Sequence, residues 1–345
     1  MMNAAAPFVS ARSTPPKPEI EVSAIVVNYN GRELLRTCLQ SLRTALAATD
    51  AVAEIVVIEN ASTDGSREML ASAFADVRVI ESETNLGFAG AAQRAIAEAR
   101  GEWLFYVNND AAVERTAIAV LLAEARCHPQ VGALAAHMRF ADRPEIVNSS
   151  GLEIDSLGIA IDIGVGGRAC DVPQTTTEVF GASAGAALYR RAMLEEVGGF
   201  DSSFFMYLED ADLAWRARAH GWLCLQVPGA VVLHEHSRSA GHRSDFKYFL
   251  VGRNRVRMLA KNATSGQLAR YGALMVLYDL AYVCYALVID RSSAPLRGRA
   301  SGLREWRHYR SMGSSRRPVK LAPARGLRSA LARNASVGPW SDRLR

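Results

Sequence analysis

What this chain has little of narrows it first. Its 345 residues include only five cysteines, Cys38, Cys127, Cys170, Cys224 and Cys284, scattered and without a C-x-x-C pair. That spacing argues against a zinc site or a disulfide framework and fits a reducing compartment. The opening MMNAAAPFVSARSTPPKP lacks a basic segment followed by a long apolar one, so a disordered leader over residues 1–19 is expected rather than a secretory signal. No internal repeat is visible. Acidic residues are scarce in the last third. From Arg253 onward 19 Lys and Arg face 4 Asp and Glu, a net of +15, which leaves −10 for the rest of a chain whose total is +5. A basic tail suits an anionic surface. The tail carries no zinc-finger or other nucleic-acid module, so a membrane leaflet is expected as the partner and nucleic acid is not.

What is present is a large apolar share, 49%, in a length that suits one large or two ordinary domains. Ile20 to Asn28 reads as a β-branched strand, and Arg32 to Leu46 follows with helical periodicity. Glu54 to Ile58, Val77 to Ile80 and Glu102 to Val107 read as further strands. Asp64 to Phe74 and Phe88 to Arg100 read as the helices between them. Strand and helix in alternation predict βαβ units and a mostly parallel central sheet flanked by helices, an α/β fold. Ligands of such sheets sit at the carboxyl ends of the strands. Here those ends carry Asn28-Tyr29-Asn30, Glu59-Asn60 and Asn108-Asn109-Asp110. Residues 136–185 are Gly-rich and less regular. Beyond them the pattern predicts a strand-like 178–190, a helix at RAMLEEVGGF, an acidic helix, a strand pair near 222–234 and a helix over Phe246 to Lys261.

Each motif has two readings. Asp110, ending an apolar strand, suits a hard cation that bridges phosphates, or a plain strand-to-turn transition. ENASTDGS (59–66) is either a capped helix start or a set of groups offered to a nucleotide base. NLGFAG (85–90) runs into a helix whose start can meet a phosphate, but it matches neither a P-loop nor a GxGxxG pattern. Glu209, Asp210 and Asp212 crowd four positions directly after Phe204, Phe205, Met206, Tyr207 and Leu208. Acids in a first helical turn complement the macrodipole. A carboxylate in a partly apolar pocket beside a like charge also makes a general base. His234, at the end of VVLH, is structural or completes a metal site with Asp110, where imidazole suits Mn²⁺ better than Mg²⁺.

Together VVNYNGRELLRTCLQSL, ENASTDGS, NLGFAGAA, GGFDSSFFMYLEDADLAWRARAHG and YFLVGRNRVRMLAKN, spread over Val22 to Asn262, resemble family 2 glycosyltransferases of the GT-A fold, and within them rhamnosyltransferase-type members. The resemblance implies a divalent metal, Mg²⁺ or Mn²⁺, at Asp110 with His234. It implies a donor site at Asn28, Tyr29, Asn30, Asn60, Asn85, Gly87, Phe88, Asn108, Asn109 and Arg253, with Arg253-Asn254 touching phosphate or acceptor. It places the general base at Asp210, with Glu209 tuning charge or binding acceptor and Asp212 structural. An aromatic wall from Phe204 to Tyr207 would shape the acceptor pocket. Three positions depart from the family pattern: Glu59 stands for a common Asp, Asn108 replaces the first Asp of the DxD element, and Ala92 replaces a polar residue.

The implied reaction is inverting transfer from a nucleoside-diphosphate sugar, dTDP-rhamnose above a UDP- or GDP-sugar, to a saccharide or lipid-linked acceptor in surface polysaccharide synthesis. Nucleotidyl transfer and a non-catalytic nucleotide-sugar-binding subunit are the rivals. The catalytic domain is expected over 20–262, a helical extension over 263–315 and a loosely ordered basic tail over 316–345. Gly272 to Ile289 is nearly all apolar, but Asp279 at its centre would cost roughly 2.5–3.5 kcal/mol to insert. A helix packed on the body or lying in the interface is therefore expected, at the cytoplasmic face of the plasma membrane. The following Arg residues beside Trp306 and Tyr309 suit anionic headgroups.

Overall fold

The computed structural model describes residues 20–235, 244–313 and 317–324. The expected leader and the end of the basic tail lie outside them. The first half is β1 (Val22–Asn28), α1 (Arg32–Leu46), β2 (Ala53–Glu59), α2 (Ser66–Ala73), β3 (Arg78–Glu81), α3 (Gly87–Glu98) and β4 (Trp103–Asn108). Strands β3-β2-β1-β4 are parallel, with Asn28 beside Glu59 and Val27 beside Asn108. The three polar strand ends therefore meet on one sheet edge. Alternation along β1 sends Val26 to one face, against Leu35, Leu39 and Leu42 of α1, and Ile25 to the other, against Ala91 and Ala95 of α3.

The second half is β5 (Ala111–Val113), α4 (Ala117–Cys127), β6 (Val131–Phe140), β7 (Arg143–Ser149), β8 (Leu152–Ile154), β9 (Ala160–Asp162), β10 (Thr177–Val179), β11 (Ala186–Arg190), α5 (Arg191–Val197), α6 (Glu209–His220), β12 (Leu223–His234), α7 (Asp245–Asn262), α8 (Ser265–Val288), α9 (Ala294–Arg304) and α10 (Trp306–Met312). The sheet runs β10-β12-β6-β11-β4-β1-β2-β3, with β5 on β12 and β7 on β6, and its second half mixes directions because β11 is antiparallel to both β4 and β6. Two expectations change here. The strand-like 178–190 is two strands, split where the small residues Gly181 to Gly185 turn the chain. The pair near 222–234 is the single strand β12, which shifts register between Val227 and Val231, around Pro228-Gly229.

Helix α8 is long and apolar enough to cross a membrane by length and composition, yet 22% of its most apolar stretch is buried. Met275, Tyr278, Val283 and Ala286 face the body. Asp279 is held by Arg255 Nε at 2.9 Å and Arg299 Nε at 2.8 Å. Leu274, Leu277, Leu280 and Leu287 remain exposed. The chain after 316 is tied down in part: Ala322 N donates to Ile154 O at 2.9 Å and Ser156 N to Ala322 O at 2.8 Å, adding a bridge to the β8 region.

The segment leading into the acids is the most constrained in the fold. Phe205, Tyr207 and Leu208 have φ of 65°, 71° and 66°. Three non-glycine residues in left-handed conformation persist only where the surroundings over-determine them. The surroundings are α7. Asn254, fully buried, points Nδ2 at the carbonyls of Phe204 (2.9 Å), Met206 (2.9 Å) and Tyr207 (2.8 Å), so two N–H bonds serve three acceptors. Arg253 Nη2 adds 2.9 Å to Phe204 O. Below, Asp212 anchors α6 to α7 through Lys261 Nζ (3.0 Å) and Asn262 Nδ2 (2.7 Å), and accepts from Arg216 Nε (2.9 Å). Removing the amide in Asn254→Ala leaves buried carbonyls without their donor and is expected to cost about 2–4 kcal/mol. Asn254→Asp, which cannot donate, should recover none of it; urea unfolding of the two variants checks both.

Candidate active site

The turns after β1, β2 and β4 interlock. Asn109 Nδ2 donates to Asn28 Oδ1 at 2.8 Å, and Asn28 Nδ2 donates to Glu59 Oε2 at 2.9 Å. Glu59 Oε1 accepts from Ser62 N at 2.7 Å. Asn60 Oδ1 accepts from Leu86 N at 2.9 Å, while its Nδ2 donates to Asn85 Oδ1 (2.9 Å) and Gly87 O (3.2 Å). Asn28 and Asn60 are buried, with these amides engaged by the protein. Expected as donor contacts, they also fix the loops at this sheet edge. Glu59 does the same, which gives its longer side chain a structural use. Asp64 accepts from Ser66 N at 3.1 Å and from Arg32 N at 2.8 Å, so in ENASTDGS it pins the start of α2 and the start of α1. Tyr29 is 46% exposed, and Asn30, at φ 50°, accepts from Thr63 N at 2.8 Å.

The NLGFAG loop packs against the strained segment. Ala89 N donates to Phe205 O at 3.0 Å. Gly87 has φ +68°, and a Cβ there would strike the Phe205 carbonyl and ring. Phe88 packs edge-on to Phe200 at 6.1 Å, as a core residue in part. Phe204 is likewise core and fully buried, so the expected aromatic wall begins at Phe205. Arg253 and Asn254, expected to touch phosphate or acceptor, hold the backbone of this segment.

Asp110 and His234 meet because β5, directly after Asp110, pairs with the end of β12, Ala111 opposite His234. His234 Nε2 lies 3.0 Å from Asp110 Oδ1 and 3.2 Å from Asn108 Nδ2, and Nδ1 lies 3.0 Å from Asn148 Oδ1. Among the described residues no three His, Cys, Asp or Glu side chains are grouped to hold a metal. One carboxylate and one imidazole, the latter oriented through its far nitrogen by an amide oxygen, fit a cation that draws its remaining ligands from substrate oxygens and water.

At the start of α6, Glu209 is buried and Asp210 half-exposed. Asp210 accepts from Ala211 N at 2.8 Å, from Ala184 N at 3.3 Å and from the Ser183 hydroxyl. Glu209 Oε2 is buried without a hydrogen-bond partner among the described residues. Burial raises both carboxyls above the ordinary range; the Asp210 charge adds to the effect at Glu209, pushed up to about 8, whereas three donors hold Asp210 back. The hydrogen bonds set the two apart: three donors favour the charged form of Asp210, and none reaches Glu209 Oε2 among the described residues. Sequence reasoning missed Ser183, Ala184 and Asn148, which act on these residues from the irregular 136–185 region where no periodicity marks them. It also missed Asp162 and Lys247, whose surroundings place them near Asp210.

Comparison with known proteins is consistent with this geometry. The profile of glycosyl transferase family 2 matches residues 23–198. An N-acetylglucosaminyl-diphospho-decaprenol L-rhamnosyltransferase of Mycobacterium tuberculosis is 30% identical over 240 residues, 63% of this chain and 76% of that one. A poly-beta-1,6-N-acetyl-D-glucosamine synthase of Staphylococcus epidermidis is 22% identical over 56% of this chain and 45% of its own. Among solved structures, GalNAc-T7 with UDP, GalNAc and Mn²⁺ superposes with a TM-score of 0.59 at 15% identity, over 84% of this chain and 56% of its own length. The mannosyltransferase PcManGT of Pyrobaculum calidifontis, with GDP-Man and Mn²⁺, gives 0.50 at 18% identity over 96% and 91%. The chain belongs to glycosyl transferase family 2 and is a glycosyltransferase of the GT-A fold.

Proposed function

We propose that this glycosyltransferase is inverting and metal-dependent, and that it moves rhamnose from dTDP-rhamnose to a lipid-linked saccharide at the inner face of the plasma membrane. The single observation that carries the mechanism is the Glu209–Asp210 pair at the end of the clamped segment. Asp210, ionised and half-exposed, takes the proton from the acceptor hydroxyl as that oxygen attacks the anomeric carbon. One displacement from the face opposite the leaving group inverts the anomer. A divalent cation held by Asp110 and His234 would offset the charge that develops on the departing diphosphate. Asn108 and Asn148 orient His234. Tyr29, Asn30 and Asn109 form the rim left to the nucleotide, with Gly87 bringing α3 close enough to Phe205 to close its other side.

The rhamnosyl donor and lipid-linked acceptor are supported by the name of the Mycobacterium relative. UDP- and GDP-sugars, the ligand classes of the two superposed structures, are the competing donors. The membrane is supported by α8. From Ala273 to Ile289 its exposed residues carry no charge, and Arg270 and Arg291 flank the stripe. Asp279 is neutralised by arginines of the body, so the helix suits the interface plane, apolar side down. The catalytic domain in this reading is 20–262, and 263–315 is its membrane-facing extension.

Release of nucleoside diphosphate from dTDP-, UDP- and GDP-sugars, with membrane extract as acceptor and Mn²⁺ present, tests the assignment. One donor is expected to turn over, and Asp210→Asn is expected to lower kcat by about 10²–10⁴ while the donor Kd is kept. Turnover undiminished in Asp210→Asn would remove the base. A second test reads the pair in the resting protein. A carboxyl raised on folding stabilises the fold fully below its unfolded value, 4.5 for Glu209, and that contribution is lost as pH climbs to about 8. The Tm of the wild type should thus fall across this window relative to Glu209→Gln, and the variant should be the more stable of the two above pH 8.

A further inference from the structure

Two charged groups near Asp210 have no part in the mechanism above. Asp162 ends β9, in the small hairpin outside the main sheet, and takes a hydrogen bond from Ser149. Asp210, His234 and Lys247 are the charges that act on it, and burial together with Asp210 holds its proton up to about 6. Lys247 stands in the first turn of α7. Its ammonium lies 5.4 Å from the centre of the Tyr207 ring, in the strained segment, and forms no ion pair within 4.0 Å among the described residues. Burial lowers its affinity for its proton, and Asp162 opposes that. A half-buried ammonium and a half-buried carboxylate, close enough to feel each other but not paired, retain the capacity to take ligand groups of opposite kind.

Their place in the fold says which ligand. The same turn of α7 meets the end of α8: Tyr248 OH donates to Asp290 Oδ2 at 2.8 Å and packs edge-on to Tyr282, and Ser292 donates to Asp245 Oδ1 at 2.6 Å. Leu287, Val288 and Ile289, beside these residues in sequence, are exposed. Lys247 thus belongs to the turn of α7 that meets the end of α8, and its ammonium faces Tyr207, three residues before Asp210. We propose that Lys247 and Asp162 recognise the acceptor as a phosphate-linked sugar: Lys247 binds the phosphate between lipid and sugar, and Asp162 accepts from a hydroxyl of that sugar. This rests on the lipid-linked acceptor proposed above.

Calorimetric titration of the full chain with a short-chain farnesyl-diphosphate-linked N-acetylglucosamine, and separately with the nucleotide-sugar donor, tests it. Lys247→Met is expected to weaken the farnesyl probe about tenfold, the loss of one charge-assisted contact, with the donor Kd unchanged. Lys247→Arg should retain most of the affinity. An octyl glycoside of the same sugar, without phosphate, should bind wild type and Lys247→Met alike, whereas Asp162→Asn should weaken both sugar probes. Loss of donor affinity in Lys247→Met would assign the cation to the donor diphosphate and overturn the proposal, as would a parallel fall in every affinity with a lowered Tm. A wild type that turns over donor but ignores the farnesyl probe overturns the acceptor assignment alone. A wild type that binds no donor overturns the broader reading as well.

Discussion

One buried amide supports the chemistry of this protein. Asn254 Nδ2 reaches three carbonyls of the segment Phe204 to Leu208, and that segment holds three residues at a positive φ that side chains resist. Without the amide the chain would relax toward ordinary backbone angles, and the first turn of α6 would swing with it. With the amide in place, Glu209 and Asp210 stand at a fixed height above the sheet edge. Phe205 is set against Gly87 and Ala89, so the NLGFAG loop and the start of α6 are positioned by the same contact. Asp212, two residues on, fixes the other end of that turn to Lys261 and Asn262 of the same helix α7.

On this frame the site separates charge by environment. Two adjacent carboxyls, both shielded from water, cannot both be ionised cheaply. Hydrogen bonds distinguish them: Asp210 receives Ala184 N, Ala211 N and the Ser183 hydroxyl, and among the described residues Glu209 Oε2 receives none. Across the sheet edge, the order of strands brings Asp110 to His234, more than a hundred residues away in sequence, through the pairing of β5 with β12. In the proposed mechanism the departing diphosphate and the incoming hydroxyl are served by residues on separate elements.

Much of this was legible in the sequence where local pattern decides structure. The βαβ alternation located the sheet edge, and helix α1 spans the residues its periodicity marks. The crowding of Glu209, Asp210 and Asp212 pointed to a partner for at least one acid, and Asp212 has three. What was not legible depends on contacts between distant segments. Nothing local says that Asn60 turns inward to hold Asn85 and Gly87, or that Arg253-Asn254 holds the carbonyls of the segment before the acidic helix. Polar residues at strand ends look alike whether they serve ligand or loop. The 136–185 region hides Asn148, Asp162 and Ser183 because its short strands carry no periodicity, and their use appears only when β9 and the 181–185 turn are brought beside α6.

The central claim is that Asp210 is a base whose affinity for its proton is raised by burial, and that it ionises while Glu209 keeps its proton. The pH dependence of kcat/KM for wild type and Glu209→Gln tests it most directly. A base acts deprotonated, so the rate should fall on the acid side through a pKa above the ordinary 3.8 of an aspartate. Glu209 is neutral where Asp210 ionises, so Glu209→Gln should leave that limb in place. An acid limb at the ordinary aspartate value, or one that drops to lower pH in Glu209→Gln, would contradict the account.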